Sequence, residues 1–169
     1  MLFSFAPVAD VDAKILILGS MPGQKSLAAG QYYAHQRNLF WKIIGETLGF
    51  DPDSSYQIKL QNLKLAHIAL WDVMYSCQRI GSLDSNIKSA SITVNDFQQF
   101  FALHPKIKTV FFNGTMAETT YRKNVLANVS AIPISYIRLP STSPAHAALS
   151  YELKLNTWRT ALLSAKLDV

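Results

Sequence analysis

The chain has 169 residues, 49% of them hydrophobic and 16% charged, which suits one domain over 1–169 with a respectable core. No run approaches the ~20 apolar residues of a membrane span, residues 1–12 lack the basic start of a signal peptide, and the single Cys77 excludes an internal disulfide and a thiolate zinc cluster. A cytoplasmic monomer is expected, and the net charge of +5, carried by scattered Lys and Arg, leans toward a polyanionic partner.

In chain order, the first strong signal is Lys14–Gly19 (KILILG), a near-continuous apolar run that predicts a strand covered on both faces. It runs directly into Gly19-Ser20-Met21-Pro22-Gly23. Arg37–Leu48 then places Phe40, Ile43, Ile44 and Leu48 on one helical stripe that Gly49 ends. Gln57–Leu65 adds a short helix, and His67–Trp71 (HIALW) a second strand. Asn95–Leu103 is helical until His104-Pro105 stops it, and Lys108–Asn113 (KTVFFN) is the third strand. Thr115–Leu126 follows the Asn113-Gly114 turn as a helix. Ser135–Leu139 (SYIRL) is the fourth strand, and Leu149–Ala165 closes the chain with Leu149, Leu153, Trp158, Leu162 and Leu163 as its apolar positions.

Strands alternating with helices predict right-handed crossovers and a three-layer α/β/α sandwich around a central four-stranded parallel sheet. Ligands of such sheets sit beyond the carboxyl ends of the strands. Those ends read Gly19–Gly23, Trp71-Asp72, Asn113-Gly114 and Leu139–Pro144, so glycine and polar residues collect at one edge.

Glycines at both ends of Gly19–Gly23 permit close backbone approach, and Pro22 fixes the turn. Its N–H groups suit a carbonyl oxygen or a phosphate, but a plain strand-to-helix turn reads the same way. It is neither a Walker A loop nor a dinucleotide fingerprint. The continuation Gln31–Trp41 (QYYAHQRNLFW) sets aromatic rings beside His35, Arg37 and Asn38. Aromatic faces stack on bases, arginine meets phosphate, and an asparagine amide serves a base edge or a water. Phe40 and Trp41 read as core; Tyr32 and Tyr33 precede the helix, and one of them is a candidate for stacking on a base.

Gly19–Gly23, Ser26-Leu27, Tyr32–His35, Arg37-Asn38 and Phe40-Trp41 together resemble the first motif of the uracil-DNA glycosylase superfamily, and most closely its hypoxanthine-DNA (deoxyinosine) glycosylase branch. Leu139–Ala147 (LPSTSPAHA) is similar to the superfamily's second motif, a loop that presses into the minor groove. The resemblance implies a monofunctional enzyme that needs no cofactor or metal, flips a deaminated base out of double-stranded DNA and hydrolyses its N-glycosidic bond. Gly19, Ser20, Met21, Pro22 and Gly23 would line the base pocket, Tyr33 would stack on the base, Asn113 would read its edge, and Asn38 would be catalytic. Arg37, Arg79, Ser141, Thr142, Ser143 and His146 would meet the DNA.

Two positions depart from the superfamily's usual pattern. Met21 stands where most members carry Asp or Asn to activate water, a feature shared with the hypoxanthine branch. Leu139 stands where many carry His or Asn. Asp72, Asp84 and Glu118 show no carboxylate partner in sequence and read as surface or capping residues. Arg79 with Gly81–Asn86 lies over the pocket, contacts phosphate, or forms a turn with an Asx cap. The four histidines are dispersed, so no metal site is expected, and His35 reads as a structural hydrogen-bonder. A uracil or mismatch-specific glycosylase, a non-catalytic nucleic-acid binder on the same fold, and a nucleotide hydrolase with Gly19–Gly23 as its phosphate cradle are the competing readings.

Overall fold

The computed structural model describes residues 1–167. In chain order the elements are β1 (Leu2–Phe3), β2 (Ile15–Gly19), α1 (Gln24–Ala29), α2 (Phe40–Leu48), α3 (Tyr56–Leu65), β3 (Ile68–Asp72), β4 (Met74–Cys77), β5 (Thr93–Val94), α4 (Phe97–Leu103), β6 (Thr109–Asn113), α5 (Thr115–Asn124), α6 (Leu126–Val129), β7 (Ser135–Leu139) and α7 (Tyr151–Leu167).

The expected four strands form the expected parallel sheet, in the order β3-β2-β6-β7. Successive residues of a strand face opposite sides, and Leu16, Ile17, Leu18, Phe111 and Phe112 are all fully buried. Both faces of the central strands are therefore covered: α2 and α7 pack together, and α5 lies against β6. Phe40 meets Trp158 edge-on at 6.0 Å on the α2–α7 side, and Phe112 meets Tyr121 of α5 at 5.2 Å.

β7 differs from its expected double burial. It is one of the sheet's two edge strands, with Ile137 exposed and Arg138 turned to Glu118 at 3.3 Å, and a charge there suits a strand with one unpaired side. A second sheet, β1-β4-β5, is antiparallel and was not visible as a periodic pattern, because two of its strands are only two residues long. It continues from β3 through Val73 and brings the Gln78–Ile92 loop beside the parallel sheet's carboxyl edge. In α7 the buried positions are Lys154, Leu155, Trp158, Leu162 and Ala165, whereas Leu153 and Leu163 face solvent. Helix α2 begins at Phe40 rather than Arg37, because Asn38 Oδ1 accepts the Phe40 N–H at 2.9 Å and holds the preceding residues in a turn.

Candidate active site

A cavity of about 610 Å³ opens at the carboxyl ends of β2, β3 and β6, within the ordinary range of small-ligand pockets. The Gly19–Gly23 turn, Tyr33, Asn38, Asp72, Asn113 and the Ser141–His146 loop all line it. Chain segments far apart in sequence thus converge where an open α/β sheet is expected to bind its ligand.

Tyr33 and Phe40 form the aromatic wall. Their rings stack with centroids 4.0 Å apart and planes 23° from parallel. Phe40 is wholly buried, so it backs Tyr33 from the core. Tyr33 holds a left-handed backbone, φ 55°, which is uncommon for a bulky residue and turns the chain sharply at this point. Tyr32 is the core member of the pair: it is buried, donates from Oη to the Ala6 carbonyl, and accepts the Trp41 indole N–H on its own carbonyl. Both tyrosines line the cavity, Tyr32 from the core and Tyr33 half-buried.

The floor is made at Gly19. A Cβ there would run into Asp72 Oδ1 and lie 3.0 Å from Tyr33 Oη, so only glycine lets these side chains close over the strand end. Asp72 is not the surface or capping residue expected. It is 3% exposed, and its Oδ2, like Tyr33 Oη, has no hydrogen-bond partner among the described residues. Burial first, and the charge of Asp84 second, push its carboxyl up to about 8 against the opposing pull of Arg79. At neutral pH Asp72 is a neutral acid, able to donate a hydrogen bond but not to act as a base. Asp84 also enters the site: both its oxygens take the Ser20 hydroxyl, at 2.8 and 3.0 Å, and burial raises its pKa. Glu118 does keep a surface role, paired with Arg122 and Arg138. Asp72 had one sequence signal, its place at the end of a strand of the parallel sheet.

Met21 is buried against Met74, Cys77 and Ile87, so the position lacking a carboxylate serves packing. Asn38 lines the cavity with its amide fixed by the Phe40 N–H. Asn113 spends its amide on Thr142, donating from Nδ2 to Oγ1 and accepting the Thr142 N–H on Oδ1, both at 2.9 Å. It joins the two motif loops, and one Nδ2 proton and one Oδ1 lone pair are left for a ligand.

Two of the expected DNA contacts are corrected. The Arg79 side chain is fully buried and hydrogen-bonds the carbonyls of Gly81 and Pro22, which holds the loop and keeps the guanidinium from the surface where phosphate would lie, while its Nη1 has no hydrogen-bond partner among the described residues. Thr142 is fully buried on Asn113. Arg37 and His146 are exposed, while Ser141 and Ser143 stand half-buried on the rim. Ser141 Oγ accepts the Ser143 N–H and Ser143 Oγ accepts the Ala145 N–H, which leaves both hydroxyl protons to donate outward. Buried Lys154 of α7 donates to the His146 carbonyl and braces this loop from below. His35 Nδ1 accepts the Arg37 N–H, a structural role as expected.

The profile of the Uracil DNA glycosylase superfamily matches residues 6–165. The chain belongs to that superfamily. Among its relatives, a hypoxanthine DNA glycosylase of Methanosarcina barkeri is 43% identical over 111 residues, covering 65% of this chain and 69% of that protein. A hypoxanthine DNA glycosylase of Methanosarcina acetivorans is 40% identical over 114 residues, covering 67% and 71%. A solution NMR structure from Methanosarcina acetivorans, of a protein described as a candidate uracil DNA glycosylase, has 32% identity and a TM-score of 0.81 over 97% of this chain and 98% of its own. Superfamily membership thus agrees with the four-stranded parallel sheet and with the motifs at its edge. Among the described residues no group of His, Cys, Asp and Glu is placed to hold a metal ion, and no helix is long and apolar enough to cross a membrane.

Proposed function

We propose that this superfamily member removes hypoxanthine from deoxyinosine in double-stranded DNA by hydrolysing the N-glycosidic bond, acting as a monomeric, single-domain cytoplasmic enzyme. The observation that carries the reading is one cavity in which a core-backed Tyr33 ring, the fixed Asn38 amide and the buried Asp72 carboxyl converge, with Met21 packed where a catalytic carboxylate would otherwise stand. Two relatives above a third identical are named for that base.

The chemistry follows from those groups. A base flipped out of the stack lies on Tyr33, whose far face rests on Phe40, so the stacking surface is fixed before substrate arrives. As the C1′–N9 bond breaks, its electron pair leaves with the purine and the sugar becomes cationic. The O–H of neutral Asp72, the N–H groups of Gly19–Gly23 and the Asn38 amide are donors for the charge that grows on the base. Asn38 Oδ1, already bound to the Phe40 N–H, keeps one lone pair to orient water toward C1′. Water adds its oxygen to C1′ and gives up a proton, and the departing base takes one. With no titrating base of ordinary carboxylate pKa at Met21, the rate depends on positioning and electrostatics. On the rim, Arg37, Ser141, Ser143 and His146 are the groups assigned to DNA.

The test is a duplex oligonucleotide with one inosine, treated with alkali after incubation. Strand scission that disappears in Asn38→Ala supports the reading, whereas no release from inosine, uracil or xanthine DNA overturns it. Release of uracil in preference to hypoxanthine would keep the reaction and change the base. The packed, non-ionisable Met21 also favours a second reading, a lesion binder without turnover, and selective binding with no scission would establish it.

A further inference from the structure

The loop from Gln78 to Ile92, between β4 and β5, is tied down far more tightly than its exposure requires. Arg79 is buried beneath it and hydrogen-bonds Gly81 and Pro22. Ser20 binds Asp84, the Gln24 N–H donates to Ser82 Oγ at 3.0 Å, and Asn86 Nδ2 donates to the Ile80 carbonyl at 3.1 Å. Gly81 turns the chain in the left-handed region, φ 76°. These bonds connect the loop to the Gly19–Gly23 turn itself, so its position is set by the floor of the pocket.

Among exposed polar residues such as Ser82, Ser85, Asn86 and Lys88, the frame presents two large apolar side chains outward. Ile80 is 81% exposed and Leu83 50% exposed, and Leu83 also lines the cavity. On the opposite rim, the exposed positions of the Ser141–His146 loop and its continuation are Pro144, Ala145, His146, Ala147 and Ala148, with no long aliphatic side chain among them. A base drawn into the cavity leaves a gap in its stack, and proteins that open a base step fill the gap with apolar side chains. The Leu139–Ala147 loop, expected to press into the minor groove, is poor in large exposed ones; the Gln78–Ile92 loop carries two. Resting on the base-flipping reading, we propose that Leu83 and Ile80 form the apolar probe that enters the duplex at the gap, with the Pro144–Ala148 loop bearing on the backbone from the other side.

The probe matters only where there is a stack to hold open, so the experiment compares duplex with single-stranded inosine oligonucleotides. Leu83→Ala and the Ile80→Ala/Leu83→Ala double variant should excise from duplex at least about tenfold more slowly, while single-strand excision stays within about twofold of the parent. Leu83→Met should restore the duplex rate, and thermal melting checks that removing exposed side chains leaves the fold intact. Equal losses on both substrates would make Leu83 a pocket wall and overturn the proposal, as would an unchanged duplex rate in the double variant. A parent protein that releases no base from either substrate overturns the enzymatic reading, and this one with it.

Discussion

Asn113 and Thr142 exchange two hydrogen bonds, so the end of β6 and the loop after β7 form one rigid edge of the pocket. The pairing engages both ends of an amide that reads, in sequence, as free to meet a base. Asn113→Ala leaves the Thr142 N–H and hydroxyl without partners in a fully buried position, a loss of about 1–3 kcal/mol. Thr142→Val removes only the hydroxyl and keeps the N–H bond, so it should cost less. Denaturant unfolding of both variants checks this order, and equal stability of the Asn113→Ala variant and the parent would contradict the structural role.

Gly19→Ala tests the closure of the floor. The added methyl meets Asp72 Oδ1 and Tyr33 Oη, so Tyr33 must shift from its stack on Phe40 and Asp72 from its buried place. Overpacking of this kind costs about 1–3 kcal/mol. The variant should melt earlier and lose base excision even at temperatures where it remains folded, because the displaced groups are those that face the base. Melting curves and the inosine assay on one preparation separate the two losses.

Much of this geometry was legible from the chain. The four runs beginning at Lys14, His67, Lys108 and Ser135 are strands, and the strand-end rule put Gly19–Gly23, Asp72 and Asn113 on one edge. What escaped depends on contacts made across long sequence separations. Arg79 looks like a phosphate ligand until the fold places the Pro22 carbonyl 57 positions away against it. Asp72 looks like an isolated surface acid, and it is burial that makes it a neutral one. Asn113 looks available because Thr142 is 29 residues distant. Two-residue strands such as Leu2–Phe3 have no period to detect.

Tyr33 is a case where a hydroxyl and a ring can be separated. Its Oη is buried without a partner among the described residues, and burial is the main reason its pKa is raised. Tyr33→Phe deletes an unsatisfied polar group, so stability should hold or rise slightly. Excision should also persist, because the stacking surface is unchanged. Tyr33→Ala removes a stack worth about 1–3 kcal/mol per base, or about fivefold to about 150-fold in rate. Single-turnover excision distinguishes the pair, and a Phe variant as impaired as the Ala variant would assign the function to the hydroxyl.

Asp72 gives the protein a pH dependence with a definite sign. Folded, its carboxyl titrates at about 8, and its ordinary value is 3.8. Between those limits the native chain holds a proton that the unfolded chain has released, so stability falls as pH rises. The contribution is fully present below about pH 4 and is lost progressively as pH rises to about 8. Asp72→Asn keeps a hydrogen-bond donor of similar shape and cannot ionise. It should flatten this part of the stability profile and exceed the parent in stability at about pH 8. Excision by the parent should decline above about pH 8, as a carboxylate replaces the O–H donor and repels the charge developing on the base, while the Asn variant keeps its rate. Denaturant unfolding and single-turnover excision from about pH 5 to about pH 9.5, run on both proteins, check the two curves, and a parent whose excision rate holds throughout that range would remove the neutral acid from the site's chemistry.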